Sequence, residues 1–215
     1  MTSTQNLIDD LSRDAKPAGP LQRPLPMVWR LAVLFVLYAL IAQWQLGLRH
    51  DLALQFARPL FVVEIALLAL VAASGIAAAV LTMAPDAYQK TNLLRLPYLL
   101  FALLLGIIIA QLPGTSPDIL AAASQSQHGA ECALCIAAVS MIPSALMFIS
   151  LRRGASTRQL QSGVYAVLAA TATAGLTLRL AEANDVMIHL AVWHYLPTLL
   201  FAGAGALIGK WLLKW

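Results

Sequence analysis

Six long apolar runs dominate the sequence, at residues 27–46, 60–83, 96–112, 132–151, 163–180 and 190–213. Each approaches the roughly 20 residues that an α-helix needs to cross about 30 Å of hydrocarbon. Because unpaired backbone groups are excluded from lipid, runs of this length cross a membrane only as helices. The short alternating segments of a membrane β-barrel do not occur. The sequence therefore predicts an all-α, polytopic membrane protein with six transmembrane helices.

The composition agrees with a protein that is solvated by lipid. Hydrophobic residues make up 60% of the 215 residues and charged residues only 11%, whereas soluble domains carry about 25% charge. The net charge of +4 is therefore expected beside anionic lipid headgroups. No soluble segment combines a basic patch with interleaved aromatic residues, so direct binding of DNA or RNA is not expected.

The cations are divided unequally between the two sides of the predicted membrane. If each run crosses once, all of the 14 Lys and Arg residues except Arg49, Arg58 and Arg179 fall on the side of the N-terminus. Cytoplasmic loops of membrane proteins carry the excess of cations. We therefore predict that both termini are cytoplasmic.

The chain divides into a cytoplasmic N-terminal segment, residues 1–26, and a six-helix transmembrane domain, residues 27–215. Residues 16–26 contain four prolines and a glycine. Proline ends helices and stiffens extended chain, so this part is predicted to be a spacer between the membrane and whatever precedes it.

A short amphipathic helix is predicted ahead of this spacer. Leu7, Ile8 and Leu11 recur at helical spacing, and Asp9 and Asp10 point elsewhere. A helix this short is barely stable alone. Three interpretations remain open for this segment: a disordered tail, a helix on the lipid surface, or a segment that folds in a partner's groove. Its acidic polar face argues against lipid, because surface-seeking helices carry Lys and Arg.

The two cysteines lie close together where the fourth run begins. His128, Cys132 and Cys135 share a narrow arc of a helix, with Glu131 one residue away. Imidazole, thiolate and carboxylate groups together suit a thiophilic divalent metal. The Cys-x-x-Cys spacing at a helix N-terminus is also that of redox dithiols. A third interpretation is that two small apolar side chains simply pack there.

Other polar residues fall on the predicted outer side. Glu182, Asp185 and His189 lie in the last outer loop, where they either join the cysteines or are merely solvated. Glu64 lies near the outer end of the second run, about one turn from Leu60. An ionisable group in a membrane span is a functional candidate, but at this depth we expect Glu64 to reach the interface.

Small residues line one face of the last run, with a Gly-x-x-x-Gly spacing at Gly205 and Gly209. Such faces let helices approach closely, either within one chain or in a dimer.

The sequence carries no positive sign of an enzyme, because it lacks a phosphate-binding glycine loop, a Ser/His/Asp arrangement and paired carboxylates. Cys132 and Cys135 alone would suggest a membrane thiol oxidoreductase, but such relays need a second dithiol and the chain has only these two cysteines. A small transporter is disfavoured by the shortage of polar residues within the runs.

Several stretches, in order along the chain, resemble the NrsF-type membrane anti-sigma factors: LIDDLS at residues 7–12 with prolines after it, a cysteine ahead of LRRGAST at 151–157, ND at 184–185, AVWHY at 191–195 and GALIGKWLLKW at 205–215. The resemblance extends over nearly the whole chain. It implies a six-helix protein of the bacterial inner membrane that holds an extracytoplasmic-function sigma factor inactive. It further implies that envelope metal or oxidative stress releases the sigma factor.

The resemblance also assigns roles to residues. The helix with Leu7, Ile8, Asp9, Asp10 and Leu11 would contact the sigma factor. Cys132 matches the family's cysteine in the fourth transmembrane helix. The family's second cysteine follows the fifth helix, where this chain has Glu182, and Cys135 is then the candidate substitute. No cofactor is implied apart from a regulatory divalent metal at the outer face.

Overall fold

The computed structural model describes residues 4–14, 24–84, 89–113, 116, 118, 127–154, 156 and 158–214. Its helices are α1 (Thr4–Asp14), α2 (Pro24–Leu46), α3 (Leu52–Phe56), α4 (Pro59–Leu81), α5 (Thr91–Ala110), α6 (Gln127–Leu151), α7 (Gln159–Ala181) and α8 (Met187–Leu212). Helix α8 begins with one α-helical turn, continues as a π-helix over Leu190–Tyr195 and ends as an α-helix over Leu196–Leu212. The described ranges contain no β-strand.

Six of these helices, α2 and α4 to α8, are long and apolar enough to cross a membrane. This confirms the predicted all-α class and the count of six. The helix ends differ from the ends of the apolar runs, as α5 begins at Thr91 rather than at residue 96. Backbone hydrogen bonding continues through polar turns, whereas apolar side chains mark only the part of a helix that faces lipid or the core.

The N-terminal segment and one loop also differ in detail from the prediction. Helix α1 lies where a short amphipathic helix was expected. Helix α2 begins at Pro24, so residues 24–26 of the predicted spacer are helical, which is possible because proline is tolerated in a helix's first turn. The rest of the spacer, residues 15–23, lies outside the described residues. Helix α3 is an unpredicted element of the loop before α4.

Helix α7 is the centre of the bundle and packs against α2, α4, α6 and α8. In its most apolar stretch 78% of the residues are buried, against 22–39% for the other five spans. Its buried face consists largely of small residues, namely Gly163, Ala166, Ala169, Ala170, Ala172, Ala174 and Gly175. Small side chains let neighbouring backbones approach closely, which is how packing holds helices together in lipid.

The closest approach joins α7 to α8 through glycines. A Cβ atom added to Gly163 would lie 2.0 Å from the carbonyl oxygen of Gly205, and one added to Gly209 would lie 2.4 Å from that of Gln159. The Gly-x-x-x-Gly face therefore packs within the chain.

Two ends of the bundle are fastened by different polar contacts. At one end the Thr82 and Ser156 hydroxyls each lie 2.7 Å from the Ser162 hydroxyl. We call this the hydroxyl end. Met27, near the start of α2, and Leu213, after α8, belong to one buried cluster with Met83 beside Thr82. The first and last spans therefore have their chain-terminal ends on the same side.

The opposite end carries a network of ion pairs, and we call it the ionic end. Arg179 near the end of α7 donates two hydrogen bonds, at 2.9 and 3.1 Å, to the carboxylate of Glu64 in α4. Arg179 also donates to Asp185, which accepts two further bonds from Arg49. Arg49 pairs in addition with Asp51 at 2.6 Å. The network ties α4 and α7 to the loops before α4 and after α7.

The position of Glu64 corrects an expectation from the sequence. Glu64 is only 5% exposed, and its carboxylate also accepts a hydrogen bond from the Tyr195 hydroxyl in α8. Glu64 therefore does not reach the interface. An acid at the sixth position of a helix has no periodicity signal that reveals a partner 115 positions later in the chain, which is why the sequence did not show this pair.

Replacement of Gly163 by alanine tests the α7–α8 contact. Overpacking a close contact costs about 1–3 kcal/mol, so we expect Gly163→Ala to lower the thermal unfolding midpoint of the detergent-solubilised protein. Gly203→Ala is the matched control, because a Cβ there meets nothing within 4 Å. Equal midpoints for the two variants would contradict this packing.

Removal of the Glu64 charge tests the ion pair. Removing one partner of a buried pair costs about 3–5 kcal/mol when the other charge is left alone. Because Arg179 keeps its pair with Asp185, Glu64→Gln should lower the free energy of unfolding measured by detergent titration by at most about that amount. Arg58→Ala is the control, since the Arg58 side chain is 65% exposed and lies 3.8 Å from Asp185. Surface pairs contribute about 0–1 kcal/mol. A Glu64→Gln variant as stable as Arg58→Ala would refute the buried pair.

Candidate metal centre

Four side chains with metal-binding atoms meet at the ionic end. Cys132 comes from α6, Glu182 from the loop after α7, and His189 and His194 from α8. One sulfur, oxygen or nitrogen atom from each residue lies within 4.8 Å of the corresponding atom of the other three. Both imidazoles are buried, with 2% and 1% of their surfaces exposed. We call these four residues the CEHH cluster.

The carboxylate of Glu182 lies at the centre of the CEHH cluster. Its Oε2 atom is 3.0 Å from Nε2 of His194 and accepts a hydrogen bond from the Cys132 thiol at 3.4 Å. Burial raises the pKa of Glu182, but the hydrogen bond with His194 and the nearby imidazoles outweigh it, so that the pKa lies below its ordinary value. Glu182 therefore joins Cys132 and His194 through one carboxylate oxygen.

His189 completes the cluster through its Nε2 atom. Its Nε2 atom lies 3.1 Å from Oε1 of Glu182, but the alignment does not suit a hydrogen bond, and this buried atom has no hydrogen-bond partner among the described residues. Buried polar atoms in proteins are nearly always paired. A buried nitrogen that faces a carboxylate, a thiol and a second imidazole is thus an unusual feature.

The π-helix explains how the two histidines meet. Residues five apart in an α-helix point about 140° away from each other, because each residue turns about 100°. In a π-helix the hydrogen bond joins residues i and i+5, so that His189 and His194 come to the same side. Their rings are 5.5 Å apart between centroids. Pro197, just after this segment, has no amide hydrogen to continue an α-helical ladder there.

The start of α6 is placed against the π-helix by a second glycine contact. A Cβ atom on Gly129 would lie 2.3 Å from the indole of Trp193, so any larger residue there would have to displace the indole. Cys132 follows Gly129 by one turn and is thereby placed over the histidines. Cys132 and Cys135 also pack beside Ile136 in a small apolar cluster.

Of the residues predicted to bind a metal, the structure brings only Cys132 into the CEHH cluster among those whose side chains it describes. Cys132 belongs to the CEHH cluster. Cys135, half-buried one turn later, and Glu131, which is exposed, do not belong to it. His128 lies in α6, but its side chain is outside the described residues. Cysteines 132 and 135 are both free thiols.

Sequence reasoning found part of this arrangement. Glu182 and His189 were candidates from the last outer loop, but no sequence pattern indicates that they meet Cys132. His194 was missed as a ligand because α-helical periodicity points it away from His189. The His-x₄-His spacing shortly before Pro197 is the one signal in the sequence that could have indicated a non-α turn.

The residues predicted to contact a partner lie on α1. Ile8 and Leu11 are exposed by 52% and 64%, and Asp9 and Asp10 are exposed beside them. The side chain of Leu7 is outside the described residues.

Comparison with known proteins identifies the family. No curated protein and no solved structure matches the chain. A family model described as negative regulator of sigma F, NrsF, matches residues 11–215, which include all six spans and the CEHH cluster. The description is that of a regulator rather than of an enzyme, and it confirms the resemblance seen in the sequence. The chain therefore belongs to the NrsF family, the negative regulators of sigma F.

Proposed function

We propose that this multi-pass protein is an anti-sigma factor of the bacterial inner membrane. It sequesters an extracytoplasmic-function sigma factor on the cytoplasmic side and releases it when metal or oxidative stress reaches the envelope. Membership of a family of negative regulators of a sigma factor is the observation that carries this proposal. The six spans supply the anchor.

The orientation rests on the distribution of charge. The hydroxyl end is the cytoplasmic end, because the cation-rich segments join the spans there. The three exceptions, Arg49, Arg58 and Arg179, all lie in ion pairs with acidic residues at the ionic end. The other 11 of the 14 cations outweigh them, because cytoplasmic segments carry the excess of Lys and Arg.

Helix α1 is the proposed contact with the sigma factor. It presents Ile8 and Leu11 to solvent although both are large and apolar. An amphipathic helix of this kind binds by laying its apolar face into a groove. The acidic residues Asp9 and Asp10 complement the basic surface that a sigma factor needs to contact promoter DNA.

Charge placed on the apolar face of α1 tests this contact. Leu7→Asp combined with Leu11→Asp should lower the amount of sigma factor that co-purifies with the solubilised protein at least tenfold, about 1.4 kcal/mol, and should switch its regulon on without stress. Gln5→Asp with Asn6→Asp adds the same charge to the polar face and should capture the sigma factor normally. Equal capture by both double variants would remove α1 from the contact.

The two cysteines provide a test of the signal input. Only Cys132 lies in the CEHH cluster, so Cys132→Ser should retain repression in unstressed cells but fail to induce the regulon under metal or oxidant. Cys135→Ser should respond as the natural protein does. A reporter gene under sigma-factor control measures both. A full response from Cys132→Ser would exclude this thiol from sensing.

A further inference from the structure

We propose that Cys132, Glu182, His189 and His194 bind one divalent cation of the zinc class, and that this cation is the signal for the regulation proposed above. The regulatory consequence rests on the proposed function, whereas binding itself does not. The argument for binding starts from the positions of the four ligand atoms.

The CEHH cluster is close to the dimensions of a tetrahedral site. Zinc bonds are about 2.3 Å to sulfur and about 2.0–2.2 Å to nitrogen and oxygen, which places ligand atoms about 3.3–3.7 Å apart. The Glu182 carboxylate lies 3.0 Å from His194, 3.1 Å from His189 and 3.4 Å from Cys132. Since all four atoms lie within 4.8 Å of one another, small side-chain rotations bring them around one cation.

The Nε2 nitrogen of His189, which lacks a hydrogen bond, is an independent sign of a ligand. Leaving a buried polar atom without a partner costs about 1–3 kcal/mol, and Nε2 of His189 is such an atom. It faces the other donors rather than an apolar wall. A cation between the four side chains would satisfy this nitrogen and the negative charge of Glu182 together.

The donor types select the class of cation. Two imidazoles, one thiol and one carboxylate form a mixed nitrogen, sulfur and oxygen set, which suits zinc and the softer cadmium ion. Calcium and magnesium prefer sites built from oxygen. On binding, the Cys132 thiol loses its proton to solvent and becomes a thiolate ligand, and both histidines bind as neutral imidazoles.

The site also lies on an element that can change its conformation. His189 and His194 share a side only while residues 190–195 are π-helical. A cation held by both therefore stabilises the π-helix against the α-helix. A π-helix holds about one residue more per turn than an α-helix. A change from π-helix to α-helix in this segment therefore rotates the rest of α8 against α7, where Gly163 contacts Gly205. This links the ionic end to the hydroxyl end.

The test is a metal titration of the full chain in lipid nanodiscs, without any sigma factor. Co²⁺ is the spectroscopic probe and Zn²⁺ the competitor. We expect one cation per chain, a thiolate-to-cobalt charge-transfer band and the visible spectrum of tetrahedral cobalt. Cys132→Ser and His194→Gln should each weaken the affinity at least tenfold, and Cys132→Ser should abolish the charge-transfer band. Cys135→Ser and His50→Gln, which change a thiol and an exposed imidazole outside the cluster, should bind normally.

Two results would overturn the proposal. One is the absence of saturable Co²⁺ and Zn²⁺ binding by the folded natural protein, which needs no variant. The other is binding with the thiolate band that survives in Cys132→Ser or is lost in Cys135→Ser. Metal binding without capture of a sigma factor would support this site and refute the proposed function. Capture of a sigma factor without metal binding would support the proposed function and refute this site.

Discussion

The pair between Arg179 and Glu64 is the contact on which the ionic end depends. In the apolar interior of a bundle that spans a membrane, a lone charge is very costly, so each of these side chains needs the other. The pair fixes α7 to α4, and the Tyr195 hydroxyl adds α8. Arg179 also holds Asp185, which Arg49 holds from the other side. Glu182 lies in the loop after α7, three residues after Arg179 and three before Asp185. The ion pairs of these two residues therefore fix its position.

The CEHH cluster follows from this arrangement together with two features of backbone geometry. The π-helix brings His194 beside His189, and Gly129 lets α6 approach Trp193 closely enough to place Cys132 over them. None of these features alone makes a site. Together they gather four donors of three kinds, from three parts of the chain, at the end of the bundle opposite to the one where α2 begins and α8 ends.

The sequence predicted those parts of the fold that depend on local composition. Apolar runs gave the six spans, and the Leu7, Ile8 and Leu11 stripe gave α1. The helix ends were less accurate because polar turns such as the start of α5 remain helical. The site was only partly predictable, since Glu64 and Arg179, or Cys132 and Glu182, are neighbours only after the helices pack. His194 is not indicated by an α-helical pattern, because it comes to the side of His189 only through the π-helix over Leu190–Tyr195.

In the proposed regulation, a cation at the CEHH cluster weakens the binding of a sigma factor at the opposite end of the bundle. The most direct measurement is the affinity of the captured sigma factor for the full chain in nanodiscs, with and without saturating Zn²⁺. We expect Zn²⁺ to lower this affinity and the sigma factor to lower the affinity for Zn²⁺ by the same factor, because coupling between two sites is reciprocal. The same sigma-factor affinity with and without Zn²⁺ would contradict it.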